Sequence, residues 1–151
     1  MSDNANVLAS GSVAVLAVID PDVTAASTVA TGWIAFKNWK RIMGIVFAGT
    51  LGTSATVDAK FEQATDASGT GAKDVTGSAI TQLTEAGTDS DKQAVINLSQ
   101  ESLDIANSFT HVRLSVTVAV ATSDIGAVVL GLSPSYGPAS DTDATTVDEI
   151  T

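Results

Sequence analysis

The chain has 151 residues with 17 acids against 7 bases, a net charge of −10, and only 16% charged residues. One domain with a full core fits that length, and so acidic a surface argues against nucleic acid or an anionic membrane as partner. Cysteine is absent, which excludes disulfide frameworks and thiolate metal sites.

Residues 1–11 read as a flexible N-terminal arm without a basic leader pattern, and the apolar run at 13–19 is too short for a membrane span. The chain is therefore expected to be made and used without crossing a secretory membrane. Residues 12–20 form a strand, expected to stop at Asp20-Pro21-Asp22. Residues 23–32 stay open between strand and loop, and 33–36 begin a short apolar strand.

Residues 37–41 hold Lys37, Lys40 and Arg41 around Trp39. They read either as a solvated strand edge that resists edge-to-edge pairing or as an anchor for an acidic protein surface, because Arg and aromatic side chains dominate interface energies. Residues 42–50 make a buried strand. Residues 55–64 alternate, Val57, Ala59 and Phe61 against Asp58, Lys60 and Glu62. Residues 65–71 form a hairpin loop, Val75, Ile80 and Leu83 lie in the returning arm, and 84–91 turn the chain into a strand at 92–98. Residues 99–108 are the one place for a helical turn, capped by Ser99 with Leu103 and Ala106 facing inward.

The strongest pattern lies at 110–132. Val112, Leu114, Val116, Val118 and Val120 share one face, and His111, Arg113, Ser115, Thr117 and Ala119 share the other. Thr122, Ser123 and Asp124 turn the chain, and the apolar run 125–132 reads as a strand buried on both faces. The expected result is a β-hairpin at the centre of a sheet. Residues 133–151 carry two of the three prolines and several acids, and read as an extended acidic tail. Together these elements predict an all-β fold, a β-sandwich or jelly roll with extended N- and C-terminal arms: arm 1–11, domain 12–132, tail 133–151.

Catalytic and metal patterns are sparse. His111 is the only histidine and reads as a surface or interface residue rather than a base. Asp89/Asp91 and Asp141/Asp143 have a spacing that could serve calcium, but the glycine of an EF-type loop is missing, so they read as turn acids. Gly69 and Gly71 lack the strand–glycine–helix context of a phosphate loop. The sequence predicts no enzyme, no cofactor and no metal.

The segments GTLGTSATVDAKFEQATDASGT (49–70), AITQLTEAGTDSDKQAVINL (79–98), VAVATSDIGAVVLGLSPSYGPASD (118–141) and TTVDEI (145–150) resemble small structural proteins of tailed-phage and prophage head clusters. The resemblance implies a capsid decoration, or cement, protein. Such a protein is a self-associating β-sandwich, a homo-trimer or homo-dimer, that clamps adjacent subunits of the major capsid protein on the outside of the virion after synthesis in the bacterial host cytoplasm. Contacts with that partner are expected at Lys37, Trp39, Lys40, Arg41 and Tyr136 and along both arms. The competing expectation is a tail- or fibre-associated β module that binds a host-surface carbohydrate, which would call on Trp33, Trp39 and Tyr136.

Overall fold

Each arm of the 110–132 segment forms a strand, and the two lie in opposite layers of a sandwich. In the computed structural model, which describes residues 8–151, a four-stranded sheet faces a six-stranded one. After a single helical turn α1 (Ala9–Ser12), the chain forms β1 (Val13–Thr24), β2 (Ser27–Ala30), β3 (Ile34–Ala35), β4 (Trp39–Ala48) and β5 (Thr56–Ala64). It returns through β6 (Lys73–Ala79), β7 (Leu83–Thr84), β8 (Gln93–Ser99), β9 (His111–Ala119) and β10 (Ser123–Pro134). Strand order is β1-β10-β4-β8 in one sheet and β2-β9-β5-β6 in the other, with β3 also beside β9 and β7 beside β5.

The pairings nest. β5 pairs with β6, β4 with β8, β2 and β3 with β9, and β1 with β10, all antiparallel. The chain is thus one long hairpin, its turn near residues 65–72, rolled so that successive pairs land in opposite layers. The pairings β10–β4 and β9–β5 complete the roll. This is a jelly roll.

The core follows from the alternation. Val57, Ala59 and Phe61 of β5 and Val112, Leu114, Val116 and Val118 of β9 meet Ile42 and Val46 of β4 and Ile125 and Val129 of β10 between the sheets. Gly44 leaves room for Phe61, whose ring would be 3.0 Å from a Cβ at that position. Polar atoms that enter the interior are partnered. Thr31 bridges β2 and β3: its amide donates to the Leu114 carbonyl (2.9 Å), and its hydroxyl accepts from the Leu114 amide (3.0 Å). Buried Gln63 accepts from the Asp104 amide (2.8 Å) and donates to the Asp74 carbonyl (3.3 Å).

Several sequence expectations need correction. Residues 110–132 are not a hairpin: β9 and β10 are inner strands of different sheets. Val120, at φ 71°, and Ala121, bonded to the Ala119 carbonyl, carry the chain across the sandwich. Two strands that each offer one face to a core can be neighbours in a sheet or opposite each other, and alternation does not separate the two. Nor is β10 covered on both faces. Its inward residues are buried, but Val128, Leu130 and Leu132 on the outer face are partly exposed.

Further corrections concern the ends of elements. β1 runs through Pro21 to Thr24, with irregularities between Val15 and Ala17 and between Ile19 and Asp22. It is an edge strand, where a missing amide proton leaves no ladder bond broken. The 99–108 segment makes two 3-10 turns, Gln100–Ser102 and Ile105–Asn107, instead of one helical turn. Ser99 caps the first and Leu103 is buried, as expected, but Ala106 is exposed.

The tail does not leave the domain at residue 133. β10 continues to Pro134, and a 3-10 turn at Ala139–Thr142 places Ala139, fully buried, in the core. Asp143 then accepts the Val15 amide (2.7 Å), and the Ala144 amide donates to the Val15 carbonyl (2.7 Å). Of the expected N-terminal arm, residues 1–7 lie outside the described residues, and Ala9–Ser12 form α1.

Candidate interaction surface

The basic segment sits where β4 begins. Trp39 pairs with Pro134 and Arg41 with Leu132, and the Ser135 amide donates to the Asn38 carbonyl (2.8 Å). These bonds tie the start of β4 to the exit of β10, so Lys37, Lys40, Arg41 and Tyr136, distant in sequence, gather at one end of the four-stranded sheet. Lys37, Lys40 and Arg41 are exposed, and Tyr136 is 84% exposed. Arg41 also donates weakly to the Ser133 hydroxyl (3.4 Å).

Trp39 does not belong to that surface. It is 2% exposed, with its indole packed inward against Gly131. Burying so large an aromatic contributes more to the core than leaving it in water. The sequence placed it among cations, but the strand turns those cations out and the ring in.

Cation pairing separates this end from the rest. Lys60 pairs with Asp74, Lys73 with Asp104, Lys92 with Asp89 and Arg113 with Glu62. Among the described residues, Lys37, Lys40 and Arg41 make no ion pair. Their charge remains available to an incoming anionic surface. Beside them lies an apolar hollow lined by Phe36, Lys37, Gln100, Leu103, Ile105, Phe109 and Thr110. Ile105 on its lip is 61% exposed. Of the three cations only Lys37 lines this hollow, and an apolar depression with a cation at its edge suits a protein partner with acidic and apolar groups.

The remaining sequence candidates have structural uses. Trp33 carries the Arg113 guanidinium 4.6 Å from its ring centroid, and its edge packs on Gly69, whose φ is 83°. Arg113 in turn donates to Glu62 (2.6 Å), so Trp33 fixes the 65–71 hairpin loop to β9. His111 is half-buried, with Nδ1 2.9 Å from the Thr110 hydroxyl. Asp89 accepts the Thr84 amide and a Lys92 ammonium bond that holds its carboxyl below the usual range. Asp143 serves Val15, as described above. Among the described residues, no group of three or more His, Asp or Glu side chains is placed to hold a metal ion.

The apolar hollow, which sequence reasoning missed, draws together Phe36 and Phe109, far apart in the sequence. The only signal for it was the pair of aromatics flanking β3–β4 and β9.

No protein-family model and no curated protein matches the sequence. Solved structures with a similar course of the chain include the infectious bursal disease virus Gt strain (TM-score 0.48, 11% identity), which matches over 89% of this chain and 37% of that one. The chain thus spans little more than a third of that protein's length. The empty virus-like particle of cowpea mosaic virus aligns with TM-score 0.42 and 12% identity over 90% of this chain and 89% of that one. The CBM22-1 xylan-binding domain of Paenibacillus barcinonensis Xyn10C aligns with TM-score 0.41 and 17% identity over 79% and 83% of the two chains.

Proposed function

We propose that this chain is a non-enzymatic virion structural protein that binds the outside of a phage capsid and cements adjacent subunits of the major capsid protein. The observation that carries the reading is the end of the sandwich where Lys37, Lys40, Arg41 and Tyr136 gather, unpaired and exposed, beside an apolar hollow. A rigid jelly roll is a suitable clamp, because its core holds the contact residues of β4 and β10 in fixed relation. The cations would meet acidic groups on the capsid subunits, and Tyr136 and Ile105 would provide apolar anchors. The carbohydrate reading is left with little to stack on a sugar. Trp39 is buried and Trp33 is engaged by Arg113, which leaves Tyr136 and Phe47 on separate parts of the surface.

Immunogold microscopy of virions from the phage that encodes the chain tests the reading. Regular label over the heads supports it. Label confined to tails replaces it with a tail module, and intact particles without label refute both. Binding of the purified chain to the same heads should fall about ten-fold or more when Lys37 and Lys40 are both replaced by Glu.

A further inference from the structure

The outer face of the four-stranded sheet is apolar where an antiparallel sandwich usually meets water with polar side chains. Register places Val18, Val128, Ile45 and Val95 in one row across all four strands. Val15, Leu130 and Met43 form the next row, and Phe47 extends the patch in the other direction. Val95 is 53% exposed, Phe47 44% and Val18 37%. From the strand spacing and rise, the patch measures about 400 Å², the size that on a monomer marks an interaction site.

The two ends of this face carry opposite charge. Arg41 stands at one end, on the same side of β4 as Met43, Ile45 and Phe47. At the other end, the irregularity in β1 lays Pro21 over Gly126, whose added Cβ would be 3.0 Å from the Pro21 Cα. That fold brings Asp22 to the rim, where it lines a shallow concavity with Phe47 and Asp124. Among the described residues, Arg41, Asp22 and Asp124 make no ion pair.

We propose that this face is the interface of a two-fold homodimer, with the two sheets stacked and their strands antiparallel. A two-fold axis along the strands would set Arg41 against Arg41 and the acids against the acids. An axis across the strands exchanges the ends, so each Arg41 meets the Asp22–Asp124 end of the other copy. The second copy is the occupant that this charge pattern fits, since the face carries its own complement. The apolar rows form the dry centre, and the charged ends bring the contact toward the about 800 Å² per partner of a standard interface. Lys37, Lys40 and Tyr136 stay outside it and remain free for a capsid contact, whereas Arg41 is engaged by the second copy. The inference concerns the chain alone in solution and stands whether or not the chain binds a capsid.

Sedimentation velocity on the purified chain over a micromolar concentration series is the test. The wild type is expected to be a dimer, and Val95→Lys a monomer with an unchanged circular dichroism spectrum. Arg41→Glu and Asp22→Arg should each weaken the dimer about ten-fold. An equimolar mixture of those two variants should restore it, because opposite charges then meet at both symmetric contacts. That rescue also guards against misfolding, which mixing would not repair. A wild type that stays monomeric, a dimer that survives Val95→Lys, a closed trimer, or a mixture without rescue would each overturn the proposal.

Discussion

The indole of Trp39 occupies the space that a side chain at position 131 would need: a Cβ on Gly131 would stand 2.5 Å from the ring. The glycine in β10 and the tryptophan in β4 are therefore one packing unit, and it holds the strand that displays Lys40 and Arg41.

Gly131→Ala should destabilise the fold by about 1–3 kcal/mol, the usual cost of forcing an atom into a packed core. Trp39→Ala should cost about 3–5 kcal/mol. Urea denaturation followed by circular dichroism measures both. If Trp39 were instead a partner contact, its removal would leave the midpoint unchanged and weaken only binding.

Thr31→Val keeps the shape of the side chain but removes the acceptor of the Leu114 amide. An unsatisfied buried amide costs about 1–3 kcal/mol. The expected signature is a lower denaturation midpoint, together with faster hydrogen exchange at Leu114 than at Val116 on the same strand.

Stability should fall on acidification, for a reason that can be assigned. The Lys73 bond to Asp104, with Asn107 second, holds that carboxyl below the usual range. A group whose folded pKa is depressed stabilises the fold above its unfolded value, about 3.9 for Asp. That contribution is lost as pH drops below the unfolded value and through the folded one. Asp89, lowered by Lys92, acts in the same direction. The denaturation midpoint should decline more steeply below that pH in the wild type than in Asp104→Asn, and equal slopes would refute the assignment.

Asp143→Ala removes the acceptor of the Val15 amide and with it one of the two bonds that bring the tail back to β1. Limited proteolysis should then cut beyond residue 143 sooner than in the wild type, with the sandwich itself intact. Hydrogen exchange at Val15 should rise in parallel.

Much of the fold was legible because alternation reports burial directly. β5, β8 and β9 stand close to where their patterns place them, since each has one face in the core. The layer to which a strand belongs was not legible. Val112–Val118 and Ile125–Val129 face the same core from opposite sides, and only the long-range register with β5 and β4 separates them. At the candidate interaction surface, the cations were legible as charges, but the inward turn of Trp39 was not. Its direction depends on the absent side chain at Gly131, ninety-odd positions away. The tail looked free because its composition is polar, yet a single alanine at 139 and one carboxylate at 143 anchor it.

The pairing of β1 with β10 joins residue 13 to residue 132. Of the strand pairs, β5–β6 closes over a short loop, whereas the four-stranded sheet needs the last strand between its first and its fourth. A chain emerging from the ribosome cannot assemble that sheet until residue 134 has been released. Until then β1 has no neighbour in its sheet, and β4, paired only with β8, has its other edge open. Completion of this sheet must therefore wait for β10, and the cost of closing so long a loop makes it slow. During that interval the nascent chain depends on its acidic charge, and on whatever holds it in solution, to escape aggregation.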